Sequence, residues 1–521
     1  SIRRCKIHRC TNVQRGWRQL DELMDDFVRR TKLMELSNDT LNELPRNIIV
    51  PNYDRSALRA GIIHVGVGNF HRAHQAWYLH RLMQVGEADD WAIIGAGVRD
   101  ADAIMREKLL RQDCLTTLIE LDPLSSSVEV VGSMIDYIPI EENNKSLILR
   151  MARSDIRIVA LTVTEGGYFI DPATKCFDED HPDIVFDARN PDAPKTVFGA
   201  IVAALKIRRD TGVGPLTGLS CDNLQGNGDI LRQAVVSLAR MLDGSLADWI
   251  DVNCTFPNSM VDCIVPATGP QEIAIANQHG VDDCVPVTHE NFRQWVIEDN
   301  FCAGRPDWQK VGVQFADTVH DFEMMKIRIL NGGHQVISVP AEVLSVSTIA
   351  DCMAHDLIGR LFIKVTLNEI VPHVKAVPGM SPVDYLTLIQ GRFANAKIED
   401  TTRRVAFDGS SRHPCFILPS IRDGLEAGTS IEGLALVEAT WARMCFGTRA
   451  DGSLIDPNDP NWSDLQTKAQ EARSNPRTWL DMQQIYGTLR DEPRFSKIFS
   501  NWLNMIWDQG LEATIHTYLK T

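Results

Sequence analysis

The stretch IIHVGVGNFHR, residues 62–72, decides the predicted fold. Its apolar residues Ile62, Ile63 and Val65 are followed at once by glycines, as at the end of a buried parallel strand. A helical pattern begins near Arg72, with one face repeating at helical spacing. The residues of that face are Ala73, Ala76, Trp77, His80 and Met83. Strand, glycine turn and helix N-terminus together form a surface that a pyrophosphate can approach.

The glycine turn alone is weak evidence for a dinucleotide site. Gly66 and Gly68 supply two glycines of the G-x-G-x-x-G pattern, but His71 stands in place of the third. A tight turn that only joins a strand to a helix is the alternative interpretation. Support for the dinucleotide site must therefore come from elsewhere in the chain.

That support comes from residues 91–100, WAIIGAGVRD, a second apolar strand that ends in a carboxylate. Asp100 at its carboxyl end can accept hydrogen bonds from the 2′-hydroxyl of an adenosine ribose. It lies further from the glycines than the usual spacing of about 20 residues, and the polar loop at residues 86–90 can absorb the difference. Arg99 would instead favour a 2′-phosphate, so the residues leave both NAD and NADP open.

Composition excludes several classes of function. The 521 residues are enough for two or three domains, and the net charge of −16 argues against general binding to nucleic acid or to an anionic membrane. No apolar run reaches the roughly 18 residues of a membrane span. The twelve cysteines are scattered without a C-x-x-C pair. We therefore expect reduced thiols in a cytoplasmic protein, not a disulfide framework or a zinc site.

Three regions differ in texture. Residues 1–46 change from basic to acidic and form an N-terminal extension of unknown role, for which a targeting segment, an expression artefact and a docking helix around residues 17–34 are alternatives. Strand and helix patterns alternate over residues 47–288, which predicts an open α/β sheet. From residue 289 the spacing becomes helical, FRQWVIEDNF at 292–301 included, which predicts a mostly helical second domain.

Within the sheet domain we expect a hairpin-like pair of strands at 115–122 and 128–134 and a helix at 195–209. A long strand is expected within 156–170, and further strands are expected within 215–229 and 251–266. The loops that follow the strands hold Asp100, Glu165, Asn223 and Asn258. Because ligands bind outside the carboxyl ends of such strands, these loops are candidates for one binding edge.

The stretch EMMKIRILNGGHQ, residues 323–335, concentrates groups that can carry chemistry. In an α-helix, His334 would lie one turn beyond Asn331 and about 80° around the axis from Lys326. The glycine pair at 332–333 is unfavourable in a helix by about 1 kcal/mol per residue, which a ligand approaching the backbone, a kink or close helix packing would explain. The alternative is a surface lysine, a helix-breaking Asn-Gly-Gly and a core histidine.

Several long motifs in a fixed order resemble the family of polyol-specific long-chain dehydrogenases, from about residue 52 to the C-terminus. The motifs are GVGNFHRAHQAWYLHRL, LTVTEGGY, SCDNLQGNG, TFPNSMVD, FRQWVIEDNF and KIRILNGGH. The resemblance implies a Rossmann-type domain followed by a helical substrate-binding domain, with the active site in the cleft between them. It also implies NAD-dependent oxidation of a polyol to a ketose, with D-mannitol and D-fructose as the pair, and no metal.

The resemblance also assigns roles to individual residues. Lys326 matches a general base, while Asn331 and Asn223 match amides that stabilise the oxyanion. The other implied catalytic or substrate residues are His334, which positions the hydroxyl, Asp262, which orients His334, Glu323, which gates proton escape, and Arg404 and Arg412, which grip substrate hydroxyls. The implied cofactor-binding residues are Gly66, Gly68, Asn69, Phe70, Asp100, Thr164 and Glu165. Asp100 in that role favours NAD.

The chain departs from the family's commoner pattern at three places. Residues 165–167 read EGG where many relatives have lysine after the glutamate, Cys263 stands where arginine is usual, and Arg412 where lysine is frequent. The first and third of these put the identity of the substrate in doubt. His71 and His74 have an i, i+3 spacing that can ligate a metal, but no acidic partner accompanies them.

Other functions stay open on the sequence. The alternatives are a D-arabinitol 4-dehydrogenase or broad polyol dehydrogenase, a fructuronate-type sugar-acid reductase with Arg412 as the carboxylate partner, and a nucleotide-binding sensor. The set of Lys326, Asn331 and His334 argues against the sensor, which needs no base. We expect a small-molecule polyol or ketose as the partner, no nucleic acid and no membrane, and a monomer or weak homo-oligomer.

Overall fold

The computed structural model describes residues 33–124, 126–171 and 176–521, apart from the side chain of Glu165. The chain divides into two compact units, one formed by the described residues up to 121 together with 126–317, the other by 318–521 together with 122–124. Within these ranges no helix has the length and hydrophobicity needed to cross a membrane.

The first unit combines strands and helices. Its strands are β1 (Met34–Glu35), β2 (Ile48–Ile49), β3 (Ala60–Val65), β4 (Ala92–Ala96), β5 (Thr116–Leu121), β6 (Ser126–Val131), β7 (Met134–Tyr137), β8 (Ile158–Leu161), β9 (Thr217–Ser220), β10 (Ser259–Asp262), β11 (Val281–Asp282), β12 (Val287–Glu290), β13 (Gln294–Glu298) and β14 (Gln314–Ala316). Its α-helices are α1 (Asn69–Ala73), α2 (Gln75–Gln84), α3 (Asp100–Arg111), α4 (Lys145–Met151), α5 (Pro182–Arg189), α6 (Val197–Thr211), α7 (Asn227–Leu242), α8 (Gly244–Asn253) and α9 (Pro270–Gln278). Short 3-10 helices lie at Leu41–Glu43, Arg55–Ala57, Glu165–Tyr168 and Trp308–Val311.

A parallel sheet with the strand order β7-β4-β3-β8-β9 forms the centre of this unit. Within this sheet the first strand in the sequence is the central β3. The chain then adds β4 and β7 on one side of β3, and afterwards β8 and β9 on the other side. The order of strands therefore reverses between β3 and β8. In open parallel sheets the ligand crevice lies at the carboxyl ends of the strands, at such a reversal.

All six residues of β3 are buried, because both faces of this strand are covered. Ile63 and Val65 pack in one core cluster with Phe198 of α6, while Ile62 packs in a second cluster with Trp295 of β13. Successive side chains of a strand point to opposite faces, so a strand covered on both faces reads as a continuous apolar run. The predicted open α/β sheet around residues 62–72 is confirmed.

Several predicted elements are also confirmed. β5 pairs antiparallel with β6, as expected for residues 115–134. Helix α6 begins after Thr196, whose hydroxyl accepts the Gly199 N–H at 3.1 Å, and it ends at Thr211, just before Gly212, which has a φ of +72°. Helices α1 and α2 form where the pattern after the glycine turn predicted one helix, with an interruption at His74.

Two predictions of secondary structure are wrong. Residues 292–301 contain strand β13 and do not form a helix, because a short apolar run such as WVI fits either period and here is buried in a sheet. The segment 251–266 adds to the parallel sheet only an isolated bridge between Thr255 and Thr217 of β9, and not a full strand. Its strand β10 instead pairs antiparallel with β13 in a separate sheet of order β10-β13-β14.

Boundaries also differ from the sequence-based ones. The long strand expected within 156–170 is limited to β8, and residues 289–317 lie in the first unit and not in the helical one. The described part of the predicted N-terminal extension packs against this unit, since Leu36 and Leu44 are buried in a core cluster. Most of the proposed docking helix lies outside the described residues, and its last residue, Met34, begins β1.

The second unit is mostly helical, as predicted. Its α-helices are α10 (His320–Met325), α11 (Gly332–Val343), α12 (Ile349–Ala354), α13 (Asp356–Val365), α14 (Pro382–Phe393), α15 (Thr402–Ala406), α16 (Gly409–Phe416), α17 (Leu418–Glu426), α18 (Glu432–Cys445), α19 (Trp462–Ala472), α20 (Arg477–Leu480), α21 (Gln483–Tyr486), α22 (Pro493–Gln509) and α23 (Leu511–Lys520). π-Helical turns lie at Lys326–Asn331 and Thr366–Ile370, and 3-10 helices at Val371–His373 and Gly487–Asp491. Helix α18 is buried on almost every side, as expected for a helix that is apolar all round.

Candidate active site

The turn after β3 has the shape that its two glycines predict. Gly66 has a φ of +92°, and a Cβ there would lie 2.0 Å from the carbonyl oxygen of Thr162, so a side chain is excluded. A Cβ on Gly68 would meet no atom within 4 Å. The backbone at Gly68 therefore faces open space at the start of α1, which leaves room for a pyrophosphate.

Asn69 and Phe70 follow this turn, but the Asn69 side chain is used within the protein. Its Nδ2 donates to the Pro266 carbonyl and to Thr268 Oγ1, both at 2.9 Å, and its Oδ1 accepts from Arg72 at 2.7 Å. A contact from Asn69 to a cofactor would therefore come from the backbone.

The two histidines considered as metal ligands have other surroundings. His71 is fully buried and its ring stacks on His64 at 3.4 Å. His74 is hydrogen-bonded through Nε2 to the Gln294 carbonyl at 2.8 Å, and its ring stacks on Phe70 at 4.8 Å. In the described residues no three or more His, Cys, Asp or Glu side chains are grouped as a metal site.

The loop after β4 places Asp100 at the first position of α3, where it is exposed. The neighbouring Asp102 was missed by the sequence analysis. Its Oδ2 accepts the N–H groups of Val98 and Arg99 at 3.1 Å, and its Oδ1 is 3.2 Å from the Arg99 guanidinium. Asp102 thus fixes this loop and offsets the positive charge of Arg99, which would otherwise attract a 2′-phosphate.

The loop after β8 is fixed by a second missed carboxylate. Asp222 accepts the backbone N–H of Val163 at 3.0 Å and that of Thr164 at 2.8 Å. It also accepts the hydroxyl of Tyr168 at 2.7 Å. The sequence signal for Asp222 is its position as the acidic residue directly before Asn223, in a loop that follows a strand.

The remaining predicted residues of the first unit lie in different places. Asn223 is exposed in the loop after β9, while Asp262 is the buried last residue of β10. Asn258 lies beside the loop after β9, because its Oδ1 accepts the N–H groups of Gly228 and Asp229 at 2.8 and 3.1 Å. It therefore caps α7 and lies near the predicted edge, although β10 is in another sheet.

In the second unit the residues around Lys326 occupy one continuous helical run from α10 to α11. Lys326 is only 8% exposed and Glu323 is also buried. Asn331 is half-buried, and its Oδ1 has no hydrogen-bond partner among the described residues. His334 stacks face to face on Phe393, with the ring centres 4.3 Å apart.

The run is not a regular α-helix, because Lys326–Asn331 form a π-helical turn. The angle of 80° between Lys326 and His334, which assumed 3.6 residues per turn, therefore does not apply. A π-helical turn takes an extra residue, and such turns are frequent at functional sites. No residue type marks such a turn in a sequence.

Close packing explains the glycines that follow. A Cβ on Gly332 would lie 3.0 Å from the Phe416 carbonyl oxygen, and one on Gly333 would lie 2.7 Å from a ring carbon of Phe362. Of the three explanations that the sequence left open, the structure therefore supports close packing. The π-helical turn itself is attached to α17 through Arg328, which contacts Ser420 at 2.9 Å and Asp423 at 3.0 Å.

The two arginines predicted to hold substrate differ in their surroundings. Arg404 is mostly exposed and makes a two-pronged ion pair with Asp400, at 2.7 and 2.8 Å. Arg412 donates to the Val405 carbonyl and lies in α16 next to His413. The Arg404–Asp400 pair leaves an exposed, oriented guanidinium that can bind further acceptors.

Comparisons with known proteins bear on both units. Residues 60–310 match the family model described as the mannitol dehydrogenase Rossmann domain, and residues 318–507 match the mannitol dehydrogenase C-terminal domain. A mannitol 2-dehydrogenase of Cereibacter sphaeroides is 53% identical over 476 residues, which cover 91% of this chain and all of the relative. One from Phaeosphaeria nodorum is 38% identical and covers 93% of this chain and 86% of its own.

Solved structures agree with this assignment. The ternary complex of Pseudomonas fluorescens mannitol 2-dehydrogenase with NAD and D-mannitol is 38% identical, has a TM-score of 0.83, and covers 94% of this chain and 100% of its own. A D-sorbitol dehydrogenase in substrate-free form is 33% identical, has a TM-score of 0.86, and covers 92% and 100%. The family predicted from the sequence motifs is thus confirmed, as is the Rossmann-type domain followed by a helical one. The chain belongs to the mannitol dehydrogenase family.

Proposed function

We propose that this chain is an NAD-dependent polyol dehydrogenase that oxidises D-mannitol to D-fructose, with Lys326 as general base and without a metal ion. The polyol and the cofactor are supported by family membership and by the relative solved with NAD and D-mannitol. The observation that carries the catalytic part is a buried lysine at one end of a π-helical turn whose other end is Asn331.

The first unit fits the cofactor. The open space at Gly68, at the edge where the strand order reverses, suits the pyrophosphate. Gly66, Gly68 and the backbone of Asn69 and Phe70 would hold it, and Asp100 would accept from the adenosine ribose. Thr164 and Glu165 complete the proposed set. When bound, NAD supplies the acceptor for the hydride that leaves carbon 2 of the polyol.

Removal of the hydroxyl proton is assigned to a residue of the second unit. Neutral Lys326 would accept the proton of the 2-hydroxyl, since oxidation of an alcohol needs a base within hydrogen-bond reach. The amides of Asn331 and Asn223 would donate to the same oxygen and stabilise its developing negative charge. Asn331 Oδ1, the acceptor of this amide, makes no hydrogen bond within the described part of the protein, so this oxygen does not hold the side chain in another direction.

The other residues would orient the substrate. His334, whose ring plane is fixed by Phe393, would position the hydroxyl, and Asp262 would orient His334. Glu323, three positions before Lys326, would pass the proton onward. Arg404 and Arg412 would donate to the hydroxyls further along the open chain of the polyol.

A broader polyol specificity is the second candidate. It is supported by the D-sorbitol dehydrogenase, which matches this fold with a TM-score of 0.86. Arg412, where lysine is frequent, is a position at which the choice among polyols could be set. A cytoplasmic location and a monomeric or weakly oligomeric state remain predictions from the sequence.

The test is NADH formation by the purified protein with D-mannitol, D-arabinitol, D-sorbitol and xylitol, before and after exhaustive chelation. We expect the highest kcat/KM with D-mannitol and no loss after chelation. Activity that is lost on chelation and restored only by zinc would refute the lysine mechanism. Failure to oxidise D-mannitol would refute the substrate assignment.

A further inference from the structure

We infer that Asp222 is a positioning residue, which holds Thr164 in a strained backbone conformation and thereby shapes the cofactor site. The inference rests on the proposed place of Thr164 and Glu165 in that site and goes beyond it, because Asp222 itself need not touch NAD. It depends on the unusual backbone angles of Thr164, on the hydrogen bonds around that residue and on the position of the loop 163–168 beside the glycine turn.

The outlier is Thr164, with φ +69° and ψ 161°. A positive φ is a genuine outlier for a β-branched residue. This combination of angles belongs to a region that is essentially restricted to glycine. Strain of this kind persists only where the surroundings over-determine the backbone, and it is found at ligand-binding and active sites.

The surroundings that hold Thr164 are the two oxygens of one buried carboxylate. Asp222 Oδ1 accepts the Thr164 N–H at 2.8 Å, and Oδ2 accepts the preceding Val163 N–H at 3.0 Å. These two bonds fix the chain on the N-terminal side of the Thr164 Cα, so a rotation about φ or ψ of Thr164 would move the residues that follow it. Hydrogen bonds to a charged acceptor are stronger than those between neutral groups, so the carboxylate can oppose the strain.

The same carboxylate holds the far end of the loop. Asp222 Oδ2 also accepts the Tyr168 hydroxyl at 2.7 Å, and that hydroxyl lies 2.6 Å from Ser220 Oγ at the end of β9. Asp222 itself lies two residues after Ser220, the last residue of this strand. The loop 163–168 is therefore fixed to the sheet at both its beginning and its end.

The position of the loop connects it to the cofactor turn. β8 lies beside β3, and the Thr162 carbonyl oxygen fills the place where a Cβ of Gly66 would be. The Thr162 hydroxyl also donates to the Gly66 carbonyl at 2.6 Å. The residues leaving β8 thus pack directly against the glycine turn, and a change of φ at Thr164 would redirect the chain beside it.

The first test is Asp222→Asn, which keeps the shape of the side chain but replaces one acceptor oxygen with an NH₂ group that faces a backbone N–H. We expect NADH to bind about tenfold more weakly or worse, as measured by fluorescence titration without polyol, because a buried acceptor is lost. We expect KM for NAD to rise more than kcat falls. Unchanged NADH affinity would overturn the inference.

The decisive test adds Thr164→Gly to the Asp222→Asn variant. Glycine adopts a positive φ without steric strain, so the loop no longer needs the carboxylate to hold it and most of the NADH affinity should return. Val163→Gly in the same background is the matched control, because Val163 also donates to Asp222 but has no positive φ. Equal recovery in the two double variants, or none in either, would overturn the role in holding strain.

Folding and function can be separated. If Asp222→Asn alone does not fold, the Thr164→Gly double variant should still fold and bind NADH, and the Val163→Gly double variant should not. If both fail to fold, the inference is overturned. Because the titration uses NADH without polyol, an unmodified protein that binds NADH but does not oxidise D-mannitol counts against the proposed function alone. Normal mannitol oxidation with unchanged NADH affinity in Asp222→Asn counts against the inference alone.

Discussion

Replacement of Lys326 by alanine tests the proposed chemistry most directly. The usual worth of a positioned general base is a factor of about 10²–10⁴ in kcat, or about 3–5 kcal/mol of barrier. Truncation to alanine also removes three buried methylene groups, worth about 2 kcal/mol of stability at about 0.8 kcal/mol each. A domain with about 5–15 kcal/mol of stability should therefore still fold.

The assay compares turnover with cofactor binding. NADH affinity should stay close to that of the unmodified protein, because Gly66 and Gly68 lie in the first unit and Lys326 in the second. A small added amine should restore part of kcat in Lys326→Ala, since it can fill the vacated volume and accept the proton. Asn331→Ala should lose turnover without amine rescue, because there the missing group is a hydrogen-bond donor.

Two control variants test whether Lys326 acts as a base and not only as a positive charge, and whether the effect is specific to this lysine. Lys326→Arg keeps the charge but cannot accept a proton, so it should be as slow as Lys326→Ala. Lys375→Ala removes a lysine that is 80% exposed, and it should leave kcat unchanged. In the unmodified protein the oxidation rate should rise with pH, because only a neutral amine accepts a proton, and this rise should disappear in Lys326→Ala. Near-normal turnover of Lys326→Ala with the same pH profile would refute the assignment and make His334 the next candidate.

Three further predictions concern cofactor choice, packing and acid stability. Asp100→Ala should narrow the preference for NAD over NADP in kcat/KM, and a preference for NADP in the unmodified protein would contradict the role of this carboxylate. Gly333→Ala places a Cβ 2.7 Å from a ring carbon and should destabilise the protein by about 1–3 kcal/mol in thermal unfolding, whereas Gly391→Ala, with no atom within 4 Å, should stabilise it by up to about 1 kcal/mol. Burial lowers the pKa of both His64 and His289 from 6.5 to about 3. The contribution of the two neutral histidines to the free energy of unfolding is therefore fully present above pH 6.5, and it is lost as the pH falls toward 3. Each should contribute a loss of about 2 kcal/mol between pH 7 and pH 5, and an unchanged midpoint of urea unfolding over that range would contradict this.

Local signals carried the successful part of the fold prediction. Three such signals lie within about twenty residues of one another. They are the apolar run of β3, Gly66, where no other residue fits, and the amphipathic pattern up to residue 84. Sheet membership is different, because it depends on partners distant in the sequence. For that reason β10 was assigned to the wrong sheet, and the short apolar run of β13 was assigned to a helix.

The candidate site divides in the same way. Lys326, Asn331 and His334 were found because their residue types lie within nine positions of one another, and the structure places them on one helical run. Asp222 was missed because its role depends on backbone N–H groups nearly sixty residues away, in an unusual conformation that no residue type announces. The π-helical turn was missed because i→i+5 hydrogen bonding has no residue signature.

That π-helical turn sets the relative direction of the side chains on either side of it. In an uninterrupted α-helix Glu323 and His334, eleven positions apart, would lie about 20° from each other around the axis. The extra residue of the turn rotates one relative to the other by about 100°. Deleting a single residue between positions 326 and 331 would restore regular α-helical hydrogen bonds and keep about the present rotation between Glu323 and His334, because ten α-helical steps would replace eleven steps that contain the extra residue. A substitution that converted the turn to regular α-helix at unchanged length would instead rotate Glu323 and His334 by about 100° relative to each other, with every proposed catalytic residue still present.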